Sequence, residues 1–278
     1  MVSIWHRLTF QIGLSISILL VTDHAAKATE IVLIGCPDGL VVVSDKRESF
    51  TVARNGRFFD DQASKVAVCH PFLIAQTGRL FELYQSDMQD PAKKTREKFF
   101  GHNFRKEASA AAKYKSQSIT EPMVSRTLAA AICQAYELQA TLASAPWKIK
   151  QDDYISSVAI MKKSSGGAMT IEVIRVFLGA RETPNRPREI FANDIESFSY
   201  TKNDVFARLL GLGHSTMNAS TELKSPPQSL ANAVSWAEHE VLNKASHNQH
   251  IGPIVDEYLV DFDGNVRRLA SSKRLNVN

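Results

Sequence analysis

The chain contains no G-x-S-x-G elbow, no P-loop, no dinucleotide-binding glycine fingerprint and no H-E-x-x-H helix. Motif-based routes to serine hydrolysis, phosphate binding, nicotinamide chemistry and zinc peptidase chemistry are therefore closed. Internal repeats and low-complexity linkers are missing too, which excludes solenoids and strings of small domains. Cysteine is scarce: Cys36, Cys69 and Cys133 include no C-x-x-C pair, so metal or dithiol chemistry has no support. Three cysteines allow at most one internal disulfide, and their apolar surroundings read as small buried hydrophobes. His247 and His250 lie three apart but lack the third ligand that catalytic zinc needs. An excess of one charge is also lacking. Thirty-three Lys and Arg against 29 Asp and Glu leave only +4, which does not call for a nucleic-acid partner.

What is present is a globular composition. Apolar residues make up 44% and charged residues 22% of 278, enough apolar material for one sizeable core. The amino-terminal stretch differs from the rest. Arg7 precedes the apolar run Leu8 to Val21, and Ala26-Lys27-Ala28 follows a polar break. Fourteen residues with polar ones among them fall short of the roughly 20 that a membrane span needs. A charged start, a short apolar middle and an A-x-A ending describe a secretory signal peptide over residues 1–28. The expectation is a single mature domain over 29–278, periplasmic or secreted, with no stable membrane anchor after cleavage.

Along that domain, Glu30 to Asp45 reads as two strands around the turn Pro37-Asp38-Gly39, and Ser64 to Thr77 repeats the layout around His70-Pro71. Glu48 to Ala63 reads as a loop or short hairpin. Arg79 to Ser118 reads as a long helical stretch, strongly basic from Lys93 to Lys115, where eight Lys and Arg face only Glu97 and Glu107. A solvated helix face suits it better than a nucleic-acid platform, since aromatic interleaving is missing. The spacing from Val124 to Leu142 predicts a second helix. Tyr154 to Met161 and Met169 to Leu178 are strand-like. Asn203 to Leu212 is a candidate helix, and another begins at Pro226-Pro227 with Leu230, Val234, Ala237 and Val241 on one face. Ile254 to Phe262 and Val266 to Leu269 flank the hairpin signal Asp263-Gly264. Strands alternating with helix pairs predict an α/β fold, a four-layer αββα sandwich of two mostly antiparallel sheets between helix pairs.

With other nucleophiles unsupported, the amino terminus itself draws attention. Cleavage after Ala28 would expose Thr29. A threonine hydroxyl attacks poorly until a base takes its proton, and a free α-amino group titrating near 8 can be that base. The sequence TEIVLIGCPDGLVVVSDKR resembles the opening of the proteasome β-subunit family of amino-terminal-nucleophile hydrolases. Thr29, Asp38-Gly39, Asp45 and Arg47 fall at that family's spacings without a gap. Lys65-Val66 matches its catalytic lysine, Thr77-Gly78 its oxyanion-hole turn, and IGPIVDEYLVDFDGNVRRL its last strand pair. The resemblance covers about 50 residues at the start and 20 at the end, and it matches the middle only in element order.

What the resemblance implies is specific. Thr29 attacks an acyl carbon, and its amine shuttles the proton. Lys65 lies beside it as a cation held by Asp45, and Arg47 braces the loop. Gly78 donates its N–H to the oxyanion, and Gln76, two residues earlier, lies at the floor of the substrate pocket. The implied activity is cleavage of amide bonds in a peptide or protein substrate, with no cofactor and no metal, by a homo-oligomeric ring. Glu30 and Ile31 stand where small or hydroxyl residues usually follow the nucleophile. The family's supporting Asp and Ser align with Asn248 and Ile251, which carry neither a charge nor a hydroxyl, and Ser156 and Ser157 are the nearby candidates for a further supporting serine. Two other readings keep the fold and change the function: a non-catalytic ring or scaffold subunit, and a small-molecule amidase.

Overall fold

In the computed structural model, the structure describes residues 30–52, 56–78, 83–84, 98–100, 103–113, 120–142, 153–164, 166–178, 190–211, 227 and 229–269. The proposed signal segment and Thr29 lie outside them. The apolar run after Thr29 becomes β1 (Glu30–Cys36), which turns at Pro37-Asp38 into β2 (Gly39–Asp45). Both strands are buried along their whole length, so they read as continuous apolar runs rather than alternating ones. Val32, Ile34, Val41 and Val43 face one side, and Ile31, Leu33, Leu40 and Val42 face the other.

Glu48 to Ala63 forms a hairpin, β3 (Glu48–Val52) and β4 (Gly56–Asp60). β5 (Val66–Cys69) and β6 (Phe72–Gln76) follow, joined across a cis His70–Pro71 bond. The predicted helix over Arg79 to Ser118 is corrected. Its described parts hold a two-stranded sheet, β7 (Leu83–Tyr84) with β8 (Lys98–Phe100), and one nine-residue helix, α1 (Phe104–Ala112). Asn103 caps α1 by accepting from the Lys106 N–H, while Glu107 reaches back to the Asn103 N–H, a reciprocal pair that fixes the helix start. α2 (Glu121–Leu142), β9 (Asp153–Lys163) and β10 (Met169–Leu178) form where the sequence places them.

β11 (Ile190–Tyr200) escapes the sequence reading, and Asn203 to Leu212, expected as a helix, contains strand β12 (Phe206–Gly211). Periodicity alone cannot separate helix from strand in so short an apolar run. Pairing decides: β12 runs antiparallel to β1, with Glu30 opposite Gly211 and Gly35 opposite Phe206. This leaves a single helix, α3 (Leu230–His247), among the described residues where a pair was expected. β13 (Val255–Asp261) and β14 (Val266–Arg268) close the chain as a hairpin.

The strands form two antiparallel five-stranded sheets, ordered β12-β1-β2-β13-β14 and β11-β10-β9-β6-β5. One apolar interior joins them: Ile31, Leu33, Leu40 and Val42 of the first pack with Leu73, Ala75, Met161 and Ile171 of the second. Ala233, Ala237 and Val241, four residues apart on α3, bury the opposite face of β1 and β2. α2 lies against β9, β10 and β11, and α1 against β5 and β6. Glu196 on β11 ties the sheets at their edges by pairing with Arg208 of β12 at 2.5 Å and Arg175 of β10 at 3.5 Å.

The β1–β2 turn fixes the register. Gly39 has φ +143°, and a Cβ there would lie 2.2 Å from the Val260 carbonyl oxygen of β13. Asp38 in the same turn accepts the Leu230 N–H at the start of α3. Gly39→Ala is expected to destabilise the fold by more than about 1 kcal/mol, because the backbone conformation and the close approach both resist a side chain. Urea unfolding checks this; an unchanged midpoint would mean that the turn tolerates a Cβ.

Candidate active site

Asp45 ends β2 with its carboxylate wholly buried, and four donors converge on it. Oδ1 accepts the Glu30 N–H at 2.9 Å and the Lys65 Nζ at 2.6 Å. Oδ2 accepts the Arg47 N–H at 3.1 Å and the Gly252 N–H at 3.0 Å. A buried carboxylate with all its lone pairs engaged is held in one orientation. The Glu30 nitrogen belongs to the peptide bond formed with the carbonyl carbon of Thr29, so covalent connectivity makes Asp45 a neighbour of the residue that the sequence singles out.

Lys65 stands immediately before β5 and is 0% exposed. Burial pushes its ammonium pKa below the ordinary lysine range, and the Asp45 carboxylate acts against that shift. Its carbonyl accepts the Gln76 N–H at 2.9 Å, which ties it to the end of β6. Arg47 braces the loop: Nε and Nη2 grip Asp61 at 2.5 and 2.9 Å, Nη1 donates to the Gln249 carbonyl at 2.8 Å, and the guanidinium covers the Phe59 ring at 4.5 Å.

β6 leads into Thr77-Gly78. Gly78 is buried with φ +84°, in the left-handed region that suits glycine. Both candidate serines fasten this turn. Ser156 Oγ donates to the Thr77 carbonyl at 2.6 Å, and the Ser157 N–H donates to Thr77 Oγ1 at 2.7 Å. Gln76 is wholly buried at the end of β6, on the same alternation as Phe72 and Ile74, whereas Leu73 and Ala75 face the inter-sheet core.

Asn248 caps α3 and accepts the His250 N–H, while Ile251 packs into the apolar layer between α3 and β1. Neither supplies Asp45 with a donor; the next residue does. Gly252 is the site residue that sequence reasoning missed. A Cβ on it would lie 2.7 Å from Arg47 Cβ, so only glycine brings that amide to the carboxylate. The Gly252-Pro253 pair directly after a helix end was the available signal. Cys36 is buried and Cys69 only half-buried, and both are free thiols.

Glu30 is also buried. Its carboxylate accepts from Lys244 of α3 at 2.6 Å, yet burial outweighs that contact and pushes its pKa up to about 7. Because the folded chain binds this proton more tightly than the unfolded one, its contribution to stability is complete below about pH 4.5 and is lost as pH rises to about 7. Glu30→Gln keeps an acceptor for Lys244 and removes the titration. The midpoint temperature of the unmodified protein is expected to fall relative to Glu30→Gln between pH 5 and 7 (roughly the span set by the two pKa values). Parallel thermal curves over that range would contradict it.

No protein-family model matches the chain, and no curated protein matches it. Among solved structures, the Anbu (Gly-1) mutant from Hyphomicrobium sp. strain MC1 is similar to this chain at 13% identity, over 89% of each chain, with a TM-score of 0.49.

Proposed function

We propose that this chain is an exported, proteasome-like threonine hydrolase that cleaves amide bonds in peptides, built as a four-layer αββα sandwich. The observation that carries this reading is the wholly buried Lys65–Asp45 pair bound to the first amide after Thr29. A lysine and a carboxylate with no solvent contact are costly to maintain without well-matched partners, and perturbed ionisable groups gather where chemistry is done.

In this reading, removal of residues 1–28 frees the Thr29 amine. The hydroxyl of Thr29 attacks the substrate carbonyl carbon while the amine, directly or through water, accepts its proton. Lys65, with its proton affinity lowered by burial, favours the deprotonated hydroxyl and the anionic intermediate. The Gly78 N–H binds the oxyanion, a donor type worth roughly 3 kcal/mol. The intermediate collapses as the C–N bond breaks, and the amine returns its proton to the leaving nitrogen. Water then attacks the Thr29 ester and releases the carboxylate product. By the same resemblance Gln76, two residues before Gly78, would lie at the floor of the substrate pocket, and its amide would favour polar substrate side chains.

A non-catalytic ring or scaffold role is the second reading, favoured by one observation: Ile251 and Asn248 are committed to packing and capping, so the family's two supporting groups are missing.

The two readings separate by experiment. Mass spectrometry of the folded protein is expected to find Thr29 at the amino terminus; a chain beginning at any other residue would overturn the catalytic reading. On processed material, Lys65→Ala is expected to lower turnover of a peptide-amide substrate at least about 10²-fold. Thr29→Ser should retain part of the activity, and Thr29→Ala none. Full turnover by processed Lys65→Ala would place the chemistry elsewhere.

A further inference from the structure

Away from Asp45, a cavity of about 530 Å³ runs along β5. Five consecutive β5-side residues, Val66 to His70, line it, with α1 on one side and Tyr258 of the opposite sheet on the other. Successive strand residues point to opposite faces, so a cleft lined by all of them follows the strand's edge rather than either face. β5 is the last strand of its sheet among the described residues. The Gln76 N–H bonds the Lys65 carbonyl, so by antiparallel alternation 65, 67 and 69 bond β6 while Val66 and Val68 turn their N–H and C=O groups outward. Ser64 Oγ occupies the Val66 carbonyl. Val68 is 53% exposed.

The charges on this edge have one sign. Arg105 of α1 and Lys113 at its carboxy-terminal cap line the cleft, together with Ser109, and among the described residues no carboxylate lines it. Neither cation takes part in an ion pair among the described residues. Eight residues apart on a helix, they are separated by about 12 Å along its axis. Their charges act on different groups: that of Arg105 favours loss of the Tyr258 proton and that of Lys113 loss of the Cys69 proton, both against the larger effect of burial.

We propose that this cleft is a docking site for an extended acidic segment of a partner protein, which adds as a strand to the β5 edge. An extended chain covers about 13 Å in four residues, so acidic side chains at i and i+4 reach Arg105 and Lys113 while the chain between pairs with Val68. The apolar side chains of Ala67 and Ala112, which line the cleft on the α1 side, offer the intervening residues an apolar surface. This also gives the basic stretch around α1 a role beyond solvation, and it holds whether or not Thr29 is a nucleophile.

The test uses the full-length chain and the capped pentapeptide Glu-Val-Thr-Val-Glu in titration calorimetry at low salt. Saturable binding is expected, weakening as salt rises. Lys-Val-Thr-Val-Lys should not bind. Arg105→Glu with Lys113→Glu, both on exposed positions, is expected to weaken binding at least about tenfold. Val68→Pro removes an outward N–H without touching the β6 ladder, which an edge strand tolerates, and should weaken binding about tenfold with the melting temperature unchanged. Equal binding of the lysine peptide, or full binding by a folded Val68→Pro protein, would overturn the strand-addition proposal. So would a plain eight-carbon dicarboxylate that binds as tightly as the peptide.

Discussion

The Asp45 carboxylate is the constraint on which the rest of the site depends. It gathers donors from four separate segments: the first amide of β1, the loop after β2, the residue before β5 and the loop after α3. Three belong to the first sheet and its connections, and Lys65 belongs to the second sheet. One buried side chain therefore sets the spacing of the two sheets at the end where β1 begins. Removing either partner of a buried ion pair typically costs about 3–5 kcal/mol, because the survivor is left as an uncompensated charge. Packing alone does not call for that cost, since apolar residues of similar size would serve packing at least as well.

The two faces of the first sheet divide the labour. Toward the second sheet, β1 and β2 present an uninterrupted apolar surface that joins Leu73, Ala75 and Met161. Toward α3, the apolar layer of Val32, Ile34 and Val41 gives way at the strand's beginning to Glu30, which Lys244 holds. A buried pair, Asp45–Lys65, and a part-buried one, Glu30–Lys244, thus meet at Glu30, the residue after Thr29: its N–H donates to Asp45 and its carboxylate accepts from Lys244. They perturb each other: the Asp45 charge contributes to raising the Glu30 pKa. A carboxyl that titrates near neutrality beside the proposed nucleophile couples the stability of this end of the sheet to pH.

Glycines serve this arrangement at two points where space, not chain reversal alone, decides. Gly39 lets β13 approach the β1–β2 turn, and Gly252 lets the loop after α3 approach Arg47. Both approaches bring the carboxy-terminal hairpin onto β2, whose register from Gly39 opposite Asp261 to Asp45 opposite Val255 runs without interruption. The Gly252 amide reaches Asp45 because that register is kept.

Much of the local structure was legible in the sequence. Continuous apolar runs flanked by Pro-Asp-Gly, His-Pro and Asp-Gly determined β1–β2, β5–β6 and β13–β14, and one-faced apolar spacing determined α2 and α3. Asp45, Arg47, Lys65 and Gly78 came together as a set only through the resemblance to the proteasome β-subunit family, not from their residue types alone. Tertiary structure alone decided the remainder. β12 has a composition that suits either helix or strand, and only its ladder with β1 settles it. β11 carries Asp194 and Glu196 inside a strand, where local propensity opposes them, and pairing with Arg175 and Val173 of β10 sustains them, while Asn193 is the extra residue at the register shift. The Gly252 amide, 207 residues from Asp45, and Lys244, 214 from Glu30, have no local signature. Their partners are chosen by how two sheets and a helix close on each other, because the cost of burying an unpaired charge is felt only once water has left.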